Sequence, residues 1–208
     1  MRKSEQIPDT LLLLEHPPVI TLGKRGSGTD ILLSREMLNA KGVDVVEIDR
    51  GGQVTYHGPG QMVGYFICNL YEHQRKVRRF VQNIENSVIT FLKESWNIEA
   101  TTDPKNVGVW TSNGGKYEKI AAIGISIFQG ITMHGFALNI TTDLSHFGWI
   151  VPCGITDKGV TSVKRILEER NDKDSLIPMD TAKRKFADIV KKVFEYDQAD
   201  IHTGIGPV

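Results

Sequence analysis

The sequence predicts an α+β fold in which a mixed or mainly antiparallel sheet is packed against helices. Short apolar runs bounded by glycine or proline outnumber the segments with helical periodicity, and such runs are typical of buried strands. Several neighbouring runs are joined by connections too short for a parallel crossover. A length of 208 residues corresponds to one domain of ordinary size. We therefore expect a single domain over residues 1–208, with helices covering the sheet.

The strands are predicted from runs of β-branched and apolar residues. Gln129-Gly130 separates the last two runs and is a favourable two-residue hairpin turn. The candidate strands are residues 11–16, 19–24, 43–49, 62–70, 107–111, 120–128 and 131–140.

The helices are predicted from apolar residues spaced three and four apart. The clearest case is residues 77–96, where Val81, Ile84 and Val88 belong to one stripe. Ser34 is a suitable N-cap for a short helix that Gly42 would end. Two further helices are expected near residues 160–170 and 181–196.

Composition excludes several classes of protein. The 25 Lys and Arg balance 25 Asp and Glu, and this zero net charge argues against a dedicated nucleic-acid binder. The sequence contains no run of about 18 apolar residues, so no membrane span is predicted. The first residues lack the apolar core of a secretory signal. Cys68 and Cys153 form neither a CxxC nor a Cys/His cluster, so no metal site is expected. A cytoplasmic protein is the expectation.

The densest functional signal lies between two apolar runs, at residues 50–61. The segment reads RGGQVTYHGPGQ, and five of its positions are glycine or proline. Glycines let a backbone approach a ligand closely and present its N–H groups to it. The segment is neither a Walker phosphate loop nor a dinucleotide fingerprint. Taken only as a glycine-rich loop, it is equally consistent with a tight turn that carries structural polar residues.

The whole pattern R-G-G-x-x-T-Y-H-x-x-G-Q-x-V-x-Y, beginning at Arg50, resembles the signature of the octanoyltransferase family of lipoate biosynthesis. Four further blocks resemble that family in the same order, at residues 11–26, 119–124, 134–139 and 150–155. The resemblance implies the catalytic fold of lipoate–protein and biotin protein ligases. Family members usually begin with an additional strand and helix, which we expect to be missing, since about ten residues precede the first apolar run.

The resemblance also implies an activity and its partners. The octanoyl group of octanoyl-acyl carrier protein would pass to a lysine of a lipoyl domain through a cysteine acyl-enzyme, a thioester intermediate. Acceptors would be the lipoyl domains of 2-oxoacid dehydrogenases and the glycine cleavage H protein. No cofactor, metal, nucleic acid or membrane is expected to take part.

Cys153 and Lys119 are the candidate catalytic residues. Cys153 lies between proline and glycine just before a predicted helix, where a thiol can have a lowered pKa and act as a nucleophile. A buried inert thiol is the alternative, and it is our prediction for Cys68. Lys119 begins an apolar strand and would ordinarily be solvated there. The resemblance implies instead that Lys119 and Cys153 form a Cys/Lys dyad.

The resemblance further implies an acyl-substrate pocket with small residues and loop N–H groups. His57 and His134 are proton-carrier candidates by residue type, and we rank both as pocket-forming because the dyad supplies nucleophile and base. The predicted substrate-binding residues are Arg50, Gly51, Gly52, Gln53, Val54, Thr55, Tyr56, His57, Ala122, Ile123, Gly124, Gly135, Phe136 and Ala137.

The strongest basic run covers residues 73–79. A solvated helix face is its ordinary explanation, and a docking patch for acidic carrier domains, with Lys24 and Arg25 nearby, is the functional one. Two other functions remain open at this point. They are an ATP-dependent lipoate–protein ligase and a non-catalytic carrier-binding protein of the same fold.

Overall fold

The computed structural model describes residues 7–72, 76–113, 116–151, 159–200 and 202. The strands are β1 (Thr10–Leu14), β2 (Val19–Leu22), β3 (Asp44–Glu47), β4 (Val54–His57), β5 (Gln61–Ile67), β6 (Ala100–Thr102), β7 (Val109–Asn113), β8 (Lys116–Phe128), β9 (Ile131–Asn139) and β10 (Gly159–Val160). The α-helices are α1 (Arg35–Ala40), α2 (Val77–Trp96), α3 (Val163–Glu169) and α4 (Met179–Val193).

The strands form a large and a small sheet. The large sheet has the order β1-β5-β9-β8-β7-β6 with antiparallel neighbours. The short strand β10 runs parallel to β8 and pairs with its Glu118 and Lys119. In the small sheet β2 is parallel to β3 and antiparallel to β4. The predicted α+β class with a mainly antiparallel sheet is confirmed.

Helices α2 and α4 cover one face of the large sheet and enclose the main core. The stripe predicted on α2 is buried, with Ile84 and Val88 fully shielded from solvent. Phe186 of α4 lies between the ring of Phe91 on α2, at 5.5 Å between centroids, and that of Phe136 on β9, at 4.6 Å. A second, smaller core forms on the small sheet and includes Tyr56, a predicted site residue. The loop at residues 50–53 lies on the other side of the large sheet, against Gly124 of β8.

Most predicted elements are present, with local differences. Helix α2 has the predicted bounds, and Ser34 Oγ caps α1 by accepting from Met37 N at 3.3 Å. Gln129 and Gly130 have φ of 51° and 84°, as a two-residue hairpin turn of this kind requires. The second half of the predicted loop instead forms β4, because pairing with β2 makes residues 54–57 extended. The unpredicted β6 is an edge strand on β7.

Within the described ranges, no helix is both long and apolar enough to cross a membrane.

Candidate active site

The glycine loop lies directly on strand β8. Gly51 N donates to Ile125 O at 3.0 Å. A Cβ atom built on Gly124 would come within 2.6 Å of Gly51 O, closer than real Cβ contacts allow. Gly124 therefore requires glycine for steric reasons, because the loop backbone lies against the middle of β8.

Arg50 fixes the start of this loop to the small sheet. Its buried guanidinium donates from Nη2 to the carbonyl oxygen of Thr21 at 2.9 Å and to Thr21 Oγ1 at 2.8 Å, and from Nη1 to Gly51 O at 3.1 Å. Charge-assisted hydrogen bonds of this kind are stronger than neutral ones. We conclude that Arg50 holds the loop conformation.

His57 ends β4 and begins a buried chain of hydrogen bonds. Its Nδ1 is 2.8 Å from Gln61 Oε1. Gln61 Nε2 donates to the carbonyl oxygen of Tyr56 at 3.2 Å and to Asn139 Oδ1 at 2.9 Å. Asn139 Nδ2 in turn donates to Thr161 O at 3.0 Å. The chain thus links the two sheets to the segment after β10.

These partners determine which nitrogen of His57 carries its proton. Both N–H groups of Gln61 are used, so its oxygen is the acceptor and His57 Nδ1 is the donor. His57 Nε2 then presents a lone pair, and Thr21 Oγ1 lies 3.4 Å from it. Burial lowers the pKa of His57 to about 4, with Arg50 and the other histidines acting in the same direction. The ring is therefore neutral near pH 7.

His16 and His134 lie beside His57 and share Tyr65 as a neighbour. His16 Nε2 is hydrogen-bonded to the Tyr65 hydroxyl, and burial lowers the pKa of His16. The ring of Tyr65 meets that of His134 edge-on at 5.9 Å. His134 Nε2 is 3.2 Å from Asp49 Oδ1, a contact that lowers the pKa of the carboxyl group. In the part of the chain that the structure describes, no group of three or more His, Cys, Asp or Glu side chains is arranged to hold a metal ion.

The histidine neighbourhood contains a residue that sequence reasoning missed. His16 lies within the first resembling block, in a Glu-His-Pro-Pro sequence, and this was the available signal. Its ring centroid is 5.9 Å from that of His57. The sequence separation of 41 positions gave no sign of the contact, which depends on β2 pairing with β4 in the small sheet.

A β-bulge in β8 decides where Lys119 lies. Val109 pairs with Ala121 and Trp110 pairs with Lys119, so Ile120 is an extra residue on β8. Ile120 and Ala121 are both buried in the core beneath the helices. Because the alternation is interrupted there, Lys119 shares a face with Ala122 and Gly124, the face on which the glycine loop lies.

The side chain of Lys119 is held beside the loop that precedes β7. Its Nζ donates to Val107 O at 3.2 Å and lies 4.8 Å from the ring centroid of Trp110, which is buried. Gly108 has a φ of 134°, and a Cβ atom there would lie 2.7 Å from Ala121 O and 3.3 Å from Lys119 Cε. The close approach of this loop to Lys119 thus depends on glycine.

The other predicted residues occupy several different surroundings. Ala122, Ile123 and Gly124 pair across the sheet with Ala137, Phe136 and Gly135. Within that set, Ile123 and Phe136 pack into the core under the helices. Val54 and Tyr56 of β4 are buried in the smaller core, where the Tyr56 hydroxyl is 2.7 Å from His146 Nδ1.

Thr55 is buried on β4, and Gln53 O accepts from Gly23 N at 3.1 Å. Cys68 is buried, as expected for a core thiol. Cys153 lies outside the described residues.

The lowered pKa of His57 predicts a loss of stability in acid. The pKa of His57 in the folded protein lies below the unfolded value of 6.5. The contribution of the neutral ring to the free energy of unfolding is therefore fully present above pH 6.5 and is lost as pH falls towards 4. We expect about 2–3 kcal/mol of this loss to disappear in His57→Gln. Urea unfolding of both proteins at pH about 7.5 and about 4.5 measures it. The exposed His202→Gln is the control, and an equal acid loss in all three proteins would contradict the prediction.

Comparison with known proteins shows the family to which the chain belongs. The model of the lipoyl protein ligase A/B catalytic domain matches residues 1–190. The octanoyltransferase of Caldicellulosiruptor saccharolyticus is 50% identical over 85% of this chain and 74% of its own. That of Caldicellulosiruptor bescii is 48% identical over 94% of this chain and 79% of its own.

Solved structures with low sequence identity share the fold. The bi-partite lipoate protein ligase of Thermoplasma acidophilum superposes with a TM-score of 0.68 at 14% identity, over 95% of this chain and 76% of that one. A lipoate-protein ligase A bound with ATP gives a TM-score of 0.69 at 12% identity, over 91% and 74%. The biotin protein ligase of Aquifex aeolicus gives 0.54 at 15% identity, over 85% and 70%.

The extent of these matches, with relatives named for acyl transfer, establishes that the chain is an acyltransferase of the lipoyl protein ligase A/B catalytic-domain family, related to the octanoyltransferases.

Proposed function

We propose that the protein transfers an octanoyl group from octanoyl-acyl carrier protein to a lysine of a lipoyl domain, with Cys153 as the nucleophile and Lys119 as the proton carrier. The observation that carries the proposal is the position of Lys119. The bulge at Ile120 turns it to the face of β8 that also holds the glycine loop. An ammonium group and a close-approaching backbone thus border one surface, on which a thioester carbonyl can be bound.

In the first step the Cys153 thiolate attacks the thioester carbonyl of the donor. The carbon–sulfur bond to the carrier breaks after a tetrahedral intermediate, and an acyl-enzyme thioester forms. The carrier leaves as a thiolate and takes a proton from the Lys119 ammonium. We assign stabilisation of the oxyanion to N–H groups of the glycine loop other than that of Gly51, which donates to Ile125 O.

In the second step the amine of the acceptor lysine attacks the acyl-enzyme. Neutral Lys119 takes the proton that the attacking nitrogen loses as the amide bond forms, and Cys153 departs as the thiolate that began the cycle. The balance of both steps requires no nucleotide or metal, since a thioester is already activated. The reaction needs a reduced thiol, which is consistent with the cytoplasm.

The first proposed step predicts a covalent adduct that intact-protein mass spectrometry detects. After mixing with octanoyl-acyl carrier protein, the enzyme gains the mass of one octanoyl group. Cys153→Ala abolishes the adduct because the nucleophile is lost, whereas Cys68→Ala retains it because that thiol is buried away from the surface. An adduct mapped to Cys68, or an unmodified wild-type protein, would falsify the Cys153 mechanism.

Measurements of ATP consumption and of carrier binding, made beside the adduct experiment, distinguish the other two functions. A lipoate–protein ligase would consume ATP and would keep its activity in Cys153→Ala. A non-catalytic carrier-binding protein would bind the donor carrier and remain unmodified.

The proposed proton transfer predicts that Lys119→Arg loses most of its turnover. A guanidinium retains the positive charge but cannot release its proton near neutral pH. The rate of transfer to a lipoyl-domain acceptor measures the effect, with about a hundredfold loss expected for removal of a general base. Lys164→Arg, on α3, is the matched control. Turnover equal to that of the parent would limit Lys119 to an electrostatic role.

We further propose that acidic carrier domains dock near the start of α2. Lys76, Arg78 and Arg79 are exposed there. Lys76 makes no side-chain cap bond at this helix end, and the first turn holds no acidic residue. Cations at a helix N-terminus oppose the helix dipole and cost stability, which favours a functional reason for them. The Thermoplasma ligase structure was described together with its E2 lipoyl domain, a partner of the kind proposed.

Charge reversal tests the docking surface. Arg78→Glu should slow association with the acyl carrier protein at low salt and have less effect at high salt, because added ions screen exposed charges. Lys185→Glu makes the same change at an exposed site on α4 and is the control. Equal association rates for both variants at low salt would assign residues 76–79 to an ordinary solvated face.

A further inference from the structure

Helix α2 carries a buried carboxylate among its apolar residues. Glu85 is 7% exposed and lies on the same helix face as Ile84 and Val88. Burial of an ionised carboxylate is costly unless hydrogen bonds compensate it. Glu85 Oε1 accepts from Gly108 N at 3.3 Å. Burial raises the pKa of Glu85, and the Gly108 hydrogen bond opposes that rise.

The peptide unit that Glu85 binds is the same one that Lys119 binds. The bond between residues 107 and 108 joins the Val107 carbonyl, which accepts from Lys119 Nζ at 3.2 Å, to the Gly108 N–H, which donates to Glu85. A peptide group with an anion at its N–H and a cation at its C=O is polarised by both, and each hydrogen bond strengthens the other.

The loop that contains this peptide is held in place from several sides. Asp103 Oδ1 accepts from the backbone nitrogens of Lys105 at 2.8 Å and Asn106 at 3.2 Å. Trp110 Nε1 donates to Asn106 O at 3.0 Å. Gly108 has a φ of 134°, a backbone conformation that favours glycine. The bridging peptide is therefore preorganised between the helix and β8.

We propose that Glu85 is a positioning residue for Lys119, acting through the peptide between Val107 and Gly108. It fixes the carbonyl to which the Lys119 ammonium donates, and its negative charge favours the protonated form of Lys119. Proton uptake by Lys119 in the acceptor step is thus assisted from the opposite side of the sheet. The consequence for catalysis rests on the proposed role of Lys119, while the link between the two side chains does not.

Other charged and polar groups also surround Lys119. Glu118 precedes it in β8 and lies 3.5 Å from Arg165 Nη1 of α3, so this pair is largely neutralised. The Trp110 ring of β7 lies under the ammonium and favours the cation. Cys153 is outside the described residues. Of the groups named here, Glu85 is the carboxylate that is hydrogen-bonded to the same peptide group as Lys119.

Glu85→Gln separates charge from structure, because glutamine has the same shape and its oxygen can still accept from Gly108. We expect the Lys119 pKa to fall by about half to one unit, since an opposite charge nearby favours the ammonium. NMR titration of isotopically labelled lysine side chains measures this, with Lys119→Met identifying the signal. Glu94→Gln, an exposed change on the same helix, should leave the Lys119 midpoint where it is.

A rate measurement should follow the titration. The acidic limb of the acceptor step in Glu85→Gln moves to lower pH by the same interval, because Lys119 loses its proton more readily. A Lys119 midpoint equal in Glu85→Gln and Glu94→Gln would overturn the inference. If the midpoint shifts while Lys119→Arg keeps its turnover, the positioning link stands and the proton-carrying role falls.

A second measurement uses the unaltered chain and so does not depend on a variant that folds. The amide signal of Gly108 should shift at two pH values, once with the titration of Glu85 and once with that of Lys119. A Gly108 amide that is insensitive to Lys119 would contradict the peptide bridge.

Discussion

The interruption of side-chain alternation at Ile120 is the constraint on which the candidate site depends. Without the extra residue, Lys119 would share a face with Ile123 and Ile125 and would enter the apolar core beneath α2 and α4. With it, Ile120 and Ala121 both contribute to that core while the lysine lies on the opposite face. A β-bulge commonly re-aims a side chain next to an active site. Here one inserted residue lets β8 contribute to the core on one face and present Lys119 on the other.

The glycine loop and Lys119 are placed by different parts of the fold, and buried polar groups connect them. Arg50 ties the loop to β2. The chain from His57 through Gln61 and Asn139 ends at Thr161 O, and the N–H of Thr161 donates to Lys119 O at 2.9 Å. Buried networks of this kind rigidify a site only when their members are satisfied. Each donor in this chain of hydrogen bonds meets an acceptor. The chain therefore fixes the position of the glycine loop relative to Lys119.

The helices were predictable because their signals are local. The spacing of Ile84 and Val88 indicated the buried face of α2, and Ser34 indicated the start of α1. Strand β4 was not predicted, since Thr55 and His57 become extended only through pairing with β2. The role of Glu85 was equally hidden, because its partner Gly108 lies 23 positions away and meets it only after α2 packs on the sheet.

By itself the sequence determined the fold class and the family. Helix periodicity, turn residues and motifs such as Arg50-Gly51-Gly52 are properties of neighbouring positions, which a linear chain displays directly. The tertiary structure decided which way those residues face. The bulge at Ile120, the tautomer of His57 and the peptide between Glu85 and Lys119 each require groups brought together by strand pairing and helix packing. Such contacts have no local signature, because their energies depend on partners distant in the chain.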